Sequence, residues 1–313
     1  MKLFHDFDQL NLIKNPVVTT GSFDGVHVGH KVIINHLNKT AKEIGGESTL
    51  ITFHPHPRKV LYPETAGKEL FLINSQREKI ELLHKAGLHN LIIIKFSIEF
   101  SQLSSINFVR KILVEQLHAK RIIVGFNHFF GHNREGNYEF LSEMADYYGF
   151  GVEEIPEQDI QNESVSSTKI RKALFEGNIQ RANAYLDHQY IIMGRLSAST
   201  APFAHQSLNA LSISIDEEHK LIPPIGAYAV QVMYRDEPLK GMALIYKHPN
   251  IINGFDKNIA VDVTLTDASI EKLLGKEVTV YFHKRISDTN YLEIQEVGKV
   301  LNDEKLLVEE LIY

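Results

Sequence analysis

A chain of 313 residues has room for about two domains and a substantial core. Its 33 Lys and Arg against 39 Asp and Glu leave a net charge of -6, which argues against a nucleic-acid or anionic-membrane surface as the main partner. No cysteine is present, so disulfides and thiol chemistry are excluded; no charge-free apolar run nears the ~20 residues of a membrane span, and "MKLFHDFDQLNLIKN" lacks a signal peptide's apolar stretch, so a cytoplasmic protein is expected.

Up to residue 186, short apolar runs alternate with amphipathic segments. The predicted strands are "VVTTG" (17–21), "TLITF" (49–53), "LIIIKF" (91–96), "RIIVG" (121–125) and "GVEEI" (151–155). After the first, "GSFDGVHVGHKVII" crosses a strand-to-helix junction, and Ile33, Leu37, Ala41 and Ile44 have the spacing of a buried helical face. "SQREKIELLHKAG" opens with Ser75 and Glu78 at capping-box spacing. The alternation predicts an α/β domain, a Rossmann-like parallel sheet with helices on both faces, whose ligands bind beyond the carboxyl ends of the strands. After residue 190 the texture changes to "NALSISI", "GAYAVQVMY", "GMALIYK", "IAVDVTL" and "EVTVYFHK", expected of a mainly antiparallel β-barrel or sandwich, and "DEKLLVEELIY" reads as a closing helix. The boundary is placed at "YLDHQY", giving domains 1–186 and 187–313.

Two motifs carry chemistry. Gly21, Gly25 and Gly29 let the backbone turn tightly at a predicted helix N-terminus, where N–H groups and the macrodipole attract phosphate. His27 and His30 there can donate imidazole N–H bonds to oxygens that gain charge as pyrophosphate leaves; the competing reading is a helix start with two solvated histidines. A zinc site fits poorly, since no third ligand lies nearby. About 140 residues on, "SSTKIR" (Ser166–Arg171) offers three hydroxyls and two cations at another predicted helix start; its plain reading is an N-cap followed by solvated basic residues.

"GSFDGVHVGH" resembles the phosphate-binding signature of the nucleotidyltransferase superfamily, and "SSTKIR" its second phosphate-binding segment. With "TFHPHPRKVL", "VGFNHFFGHNREGN" and "ALFEGNIQRANAYLDHQYIIMG", the chain resembles prokaryotic FAD synthetases, two-domain proteins that join an FMN adenylyltransferase to a riboflavin kinase. The resemblance implies ATP and FMN, or riboflavin, as substrates, with Mg²⁺. It puts His27, His30 and Arg171 in the transferase's catalytic set. Gly21, Ser22, Phe23, Asp24, Gly25 and Gly29 would form the ATP pocket, and Ser166, Ser167, Thr168 and Lys169 would bind its phosphates. Phe53, His54, Pro55, His56, Pro57 and Asn127 would lie near the flavin. Where the family usually has an acidic residue this chain has Asn127, and Phe129 stands where an arginine is frequent, so altered flavin or adenine affinity is expected.

In the second half "LIPPIGAYAVQV" and "IAVDVTLTD" resemble riboflavin kinase segments, but "GRLSASTAPFAHQSLNALSI" lacks that family's glycines and its Pro-Thr-Ala-Asn. Ser207 and Asn209 are left to serve Mg²⁺, and Asp262, one methylene shorter than the family's glutamate, to serve as kinase base. The expectation is a retained barrel with reduced or absent kinase activity. Two alternatives stand beside FAD synthesis: a nucleotidyltransferase for another phosphorylated acceptor, and a flavin-binding or regulatory protein with decayed sites.

Overall fold

The computed structural model describes residues 1–7, 10–126, 128–156, 159–160, 163–201, 210–247, 259–266, 270–288 and 308. Two compact units form, one from residues 1–70 and 79–165, the other from residues 71–78 and 166–313.

The first unit is built on six strands, β1 (Lys2–Phe4), β2 (Val17–Thr20), β3 (Ser48–His54), β4 (Asn90–Lys95), β5 (Arg121–Gly125) and β6 (Gly151–Ile155). They pair in the order β1-β4-β3-β2-β5-β6, every pair parallel. All five predicted strands are present; β1 was not foreseen, because three residues carry no period. Successive residues serve opposite faces: Leu50, Leu91 and Ile123 pack on one side, Ile51, Ile92 and Ile122 on the other. Burial on both faces is why these strands read as unbroken apolar runs. Helix α1 (Val28–Glu43) covers the first face, and the π-helical stretch Phe108–Gln116 with α2 (Tyr138–Tyr148) covers the second. In α1 the fully buried residues are Ile34, Leu37, Thr40 and Ala41, so the apolar face is turned slightly from the expected one, with Ile33 and Ile44 only half-buried.

The second unit contains a closed barrel of β7 (Tyr190–Ala198), β8 (Leu211–Ile213), β9 (Gly226–Tyr234), β10 (Glu237–Lys247), β11 (Ile259–Leu265) and β12 (Glu277–Ser287). All neighbours are antiparallel, closing through β7 with β8 and β7 with β12. The predicted strands recur here with only their ends moved. Strand β7 was not expected, its "YIIMGRLSA" being interrupted by Gly194 and Arg195. Of the expected closing helix only Val308 is among the described residues, where it is helical and buried.

The capping box is realised: the Glu78 N–H donates to Ser75 Oγ at 3.2 Å and the Ser75 N–H to Glu78 Oε2 at 2.8 Å. Glu78 does more than cap. It is fully buried, accepts the Met193 N–H at 3.0 Å and pairs with Lys220 at 2.7 Å. Lys220 also donates to the Ile73 and Ile191 carbonyls, so this buried ion pair has the added hydrogen bonds that its desolvation requires. Residues 71–78 are thereby fastened to the barrel strand β7.

Candidate functional site

In sequence order β2, β3, β4, β5 and β6 lie as 4-3-2-5-6, so the chain reverses direction across the sheet between β2 and β5. A crevice opens at such a switch point beyond the strands' carboxyl ends. The segments that follow β2 and β5 are Gly21–His30 and residues 126–137, the two stretches singled out from the sequence.

Gly21–His30 is a strained loop. Gly25 has φ +94°, and Phe23 and Val26 hold φ of +47° and +42°, a region that costs a β-branched residue most. At Gly21 a Cβ would stand 3.0 Å from the Phe23 ring, so the glycine there makes room for that side chain. The loop ends at His27, the extended N-cap of α1, with Gly29 and His30 in the first turn. Phe23, His30 and His27 stack in series, with centroids 4.4 and 3.6 Å apart and rings 23° and 21° from parallel. The two histidines are therefore packed against each other, His27 buried and His30 half-buried. Burial, then the His27 ring and the Lys79 ammonium, hold the His30 pKa well below its ordinary value. His30 Nδ1 is buried with no hydrogen-bond partner among the described residues. Lys79 donates to the Ser22 carbonyl at 3.2 Å and to Thr52 Oγ1 at 3.4 Å, bracing the loop from behind. Lys79 was missed because nothing in the spacing of "SQREKIELLHKAG" distinguishes a bracing lysine from a solvated one.

Next to this loop lies a cavity of about 840 Å³. Gly21, Ser22, Phe53, His56 and Pro57 line it, with Phe96, Phe100, Phe108, Phe129 and Phe130 forming an aromatic wall and Arg58 and Arg134 supplying charge. His54 and Pro55 are exposed and outside the lining, and Asn127 lies outside the described residues. His56 has a local task too, its Nδ1 accepting the Arg58 N–H at 3.2 Å to cap helix 57–61. Phe129 carries the Arg134 guanidinium 4.7 Å above its ring, so a cation attends the position despite the aromatic substitution. His128, also unforeseen, lines the cavity and shares a 3.0 Å hydrogen bond with Thr20. Desolvation, then the Arg134 charge, lower its pKa to about 4.

That shift has a measurable consequence. As pH falls below the ordinary value of 6.5 the unfolded chain takes up a proton that folded His128 refuses until about 4, so stability present above 6.5 is lost across this window. Urea midpoints should fall between pH 7 and pH 5, and fall less in His128→Phe; equal falls in both proteins would contradict the assignment.

In the second unit Ser166 caps helix 167–175, its Oγ accepting the Lys169 N–H at 3.4 Å. Ser167, Thr168, Lys169 and Arg171 occupy the first turns of that helix, and Arg171 Nε donates to the Phe71 carbonyl at 2.8 Å. In the barrel, Asp262 on β11 is fully buried and accepts the hydroxyls of Ser199 and of its cross-strand neighbour Ser212. Burial, then the Asp262 charge, raise the pKa of Tyr246. Ser207 and Asn209 lie outside the described residues. No group of three or more His, Asp or Glu suited to a metal occurs among the described residues.

Comparison with known proteins adds the decisive observation. The FAD synthetase family model matches residues 11–169 and the riboflavin kinase model residues 188–306. The chain belongs to the FAD synthetase family. It is 30% identical to the bifunctional riboflavin kinase/FMN adenylyltransferase of Buchnera aphidicola subsp. Acyrthosiphon pisum, over 92% of this chain and 89% of that protein. Those of Listeria monocytogenes and Bacillus subtilis are 30% and 27% identical, over 86% and 97% of this chain and 83% and 96% of theirs. A solved structure of a macrolide-efflux protein from Streptococcus pneumoniae shares the fold, with TM-score 0.83, 24% identity and 99% coverage of both chains. Among the described residues no helix is long and apolar enough to cross a membrane. The riboflavin kinase match extends over the barrel in which a weakened site was expected, and the bifunctional relatives align with both halves of the chain.

Proposed function

We propose that the chain makes FAD from riboflavin in two ATP-dependent steps, phosphorylation in the barrel domain and adenylylation in the α/β domain. For function we divide the chain at 186/187. The observation that carries the reading is the stacked His27–His30 pair at a helix N-terminus on the sheet's switch point, beside a large aromatic cavity.

In the second step an FMN phosphate oxygen attacks the α-phosphorus of ATP in line, the α–β bridging bond breaks, and pyrophosphate leaves. Such transfer requires positioning and charge stabilisation more than covalent help. His27 and His30 donate imidazole N–H bonds to the departing phosphates, and the α1 N-terminus adds its dipole. Ser22, Phe23, Asp24 and Gly25 shape the nucleotide pocket; Ser166, Ser167, Thr168, Lys169 and Arg171 supply hydroxyls and cations to the triphosphate. Phe53, His56 and Pro57 face the flavin, and Asn127 belongs to the same set. Mg²⁺ would neutralise phosphate charge; it characteristically needs only one or two carboxylates beside substrate phosphates, a demand that Asp24, the loop's one acidic residue, suits.

In the first step Asp262 takes the proton of the riboflavin 5′-hydroxyl as that oxygen attacks the γ-phosphorus of ATP, the β–γ bridging bond breaks and ADP leaves, with Ser207 and Asn209 serving phosphate and Mg²⁺. The ATP requirement of both steps suits a cytoplasmic protein. Purified protein given FMN, ATP and Mg²⁺ should release one pyrophosphate per FAD formed. Pyrophosphate without FAD, or neither product, would overturn the transferase reading.

A further inference from the structure

The hydrogen bond between Thr20 and His128 spans the switch point, joining the last residue of β2 to the segment after β5. Thr20 immediately precedes the loop that leads to His27 and His30, and the His128 ring lies stacked on Phe130, 5.9 Å away, within the aromatic wall. The pair thus stands where the phosphate loop meets the flavin-sized cavity. FMN has a polyol chain between its apolar tricyclic ring and its phosphate. With the ring against the phenylalanines and the phosphate towards the loop, that ribityl chain is what the border must accommodate. We propose that His128, steadied by Thr20, hydrogen-bonds the ribityl hydroxyls of FMN and so sets the reach of its phosphate. This rests on FMN being the acceptor. Thr20 engages Nε2, which leaves Nδ1 of a neutral imidazole to donate to or accept from a ribityl hydroxyl, according to the tautomer that the Thr20 bond selects. The depressed pKa of His128 keeps it neutral at physiological pH.

The test is steady-state FAD formation by the full chain, with lumiflavin, which has the ring but no ribityl chain, as competitive inhibitor against FMN. His128→Phe keeps an aromatic ring in the wall and removes the polar tip. It should raise the KM for FMN about tenfold, the scale of one hydrogen bond lost with its partner stranded. The KM for ATP and the lumiflavin inhibition constant should stay within twofold of the wild type. His128→Gln should restore most of the FMN affinity, and Thr20→Val should weaken it in the same sense but less. An unchanged KM for FMN overturns the proposal. So does an equal rise for ATP, which would make His128 a support of the phosphate loop, and so does an equal loss of lumiflavin affinity, which would place the contact on the ring. Failure of the wild type itself to form FAD would instead strike the adenylyltransferase reading.

Discussion

Replacing His30 with alanine should cut the rate of FAD formation from FMN by about 10²- to 10³-fold, the range for removing one preorganised donor at developing negative charge. His30 is held between Phe23 and His27, kept neutral by burial, the His27 ring and the Lys79 ammonium, and placed in the first turn of α1. Little reorganisation is then needed when the pyrophosphate charge grows. Because His30 does not line the aromatic cavity, the KM for FMN should change much less than kcat. An unaltered thermal midpoint would separate this loss from unfolding. A near-normal rate in a folded variant would remove His30 from the mechanism.

Asp262→Asn should lower riboflavin phosphorylation by about 10²- to 10⁴-fold, the usual contribution of a general base, while FMN is still converted to FAD. The substitution is nearly isosteric, and the asparagine carbonyl can still accept one of the two seryl hydroxyls that now reach the carboxylate. The barrel should therefore close as before. What disappears is the capacity to take a proton. If phosphorylation persists at the wild-type rate, the base lies elsewhere and Asp262 serves only to join β11 to β8.

The two helix-start motifs and the strand pattern were legible because each is local. A buried parallel strand needs a continuous apolar run, an N-cap needs a small hydroxyl or a tight turn, and both leave their marks within about ten residues. Ser75, Glu78, Gly25 and Ser166 all follow that logic. Lys79, His128 and Lys220 were not legible, since each is defined by a partner far along the chain: Ser22, Thr20 and Glu78, respectively. A lysine on a helix and a histidine in a loop look the same from sequence whether they face solvent or brace a site. The expectation for the barrel was lowered for a related reason. It weighed the glycines and proline missing from "GRLSASTAPFAHQSLNALSI" and the methylene that Asp262 lacks, whereas the matched kinase region covers nearly all of the second half, including the strand that carries Asp262.

The most direct measurement is chromatography of products formed by purified protein with ATP and Mg²⁺, supplied with riboflavin in one reaction and FMN in another. FAD in both, preceded by FMN in the first, is the predicted result. FAD from FMN alone would contradict the kinase assignment, and no FAD from either would contradict the role given to His27 and His30.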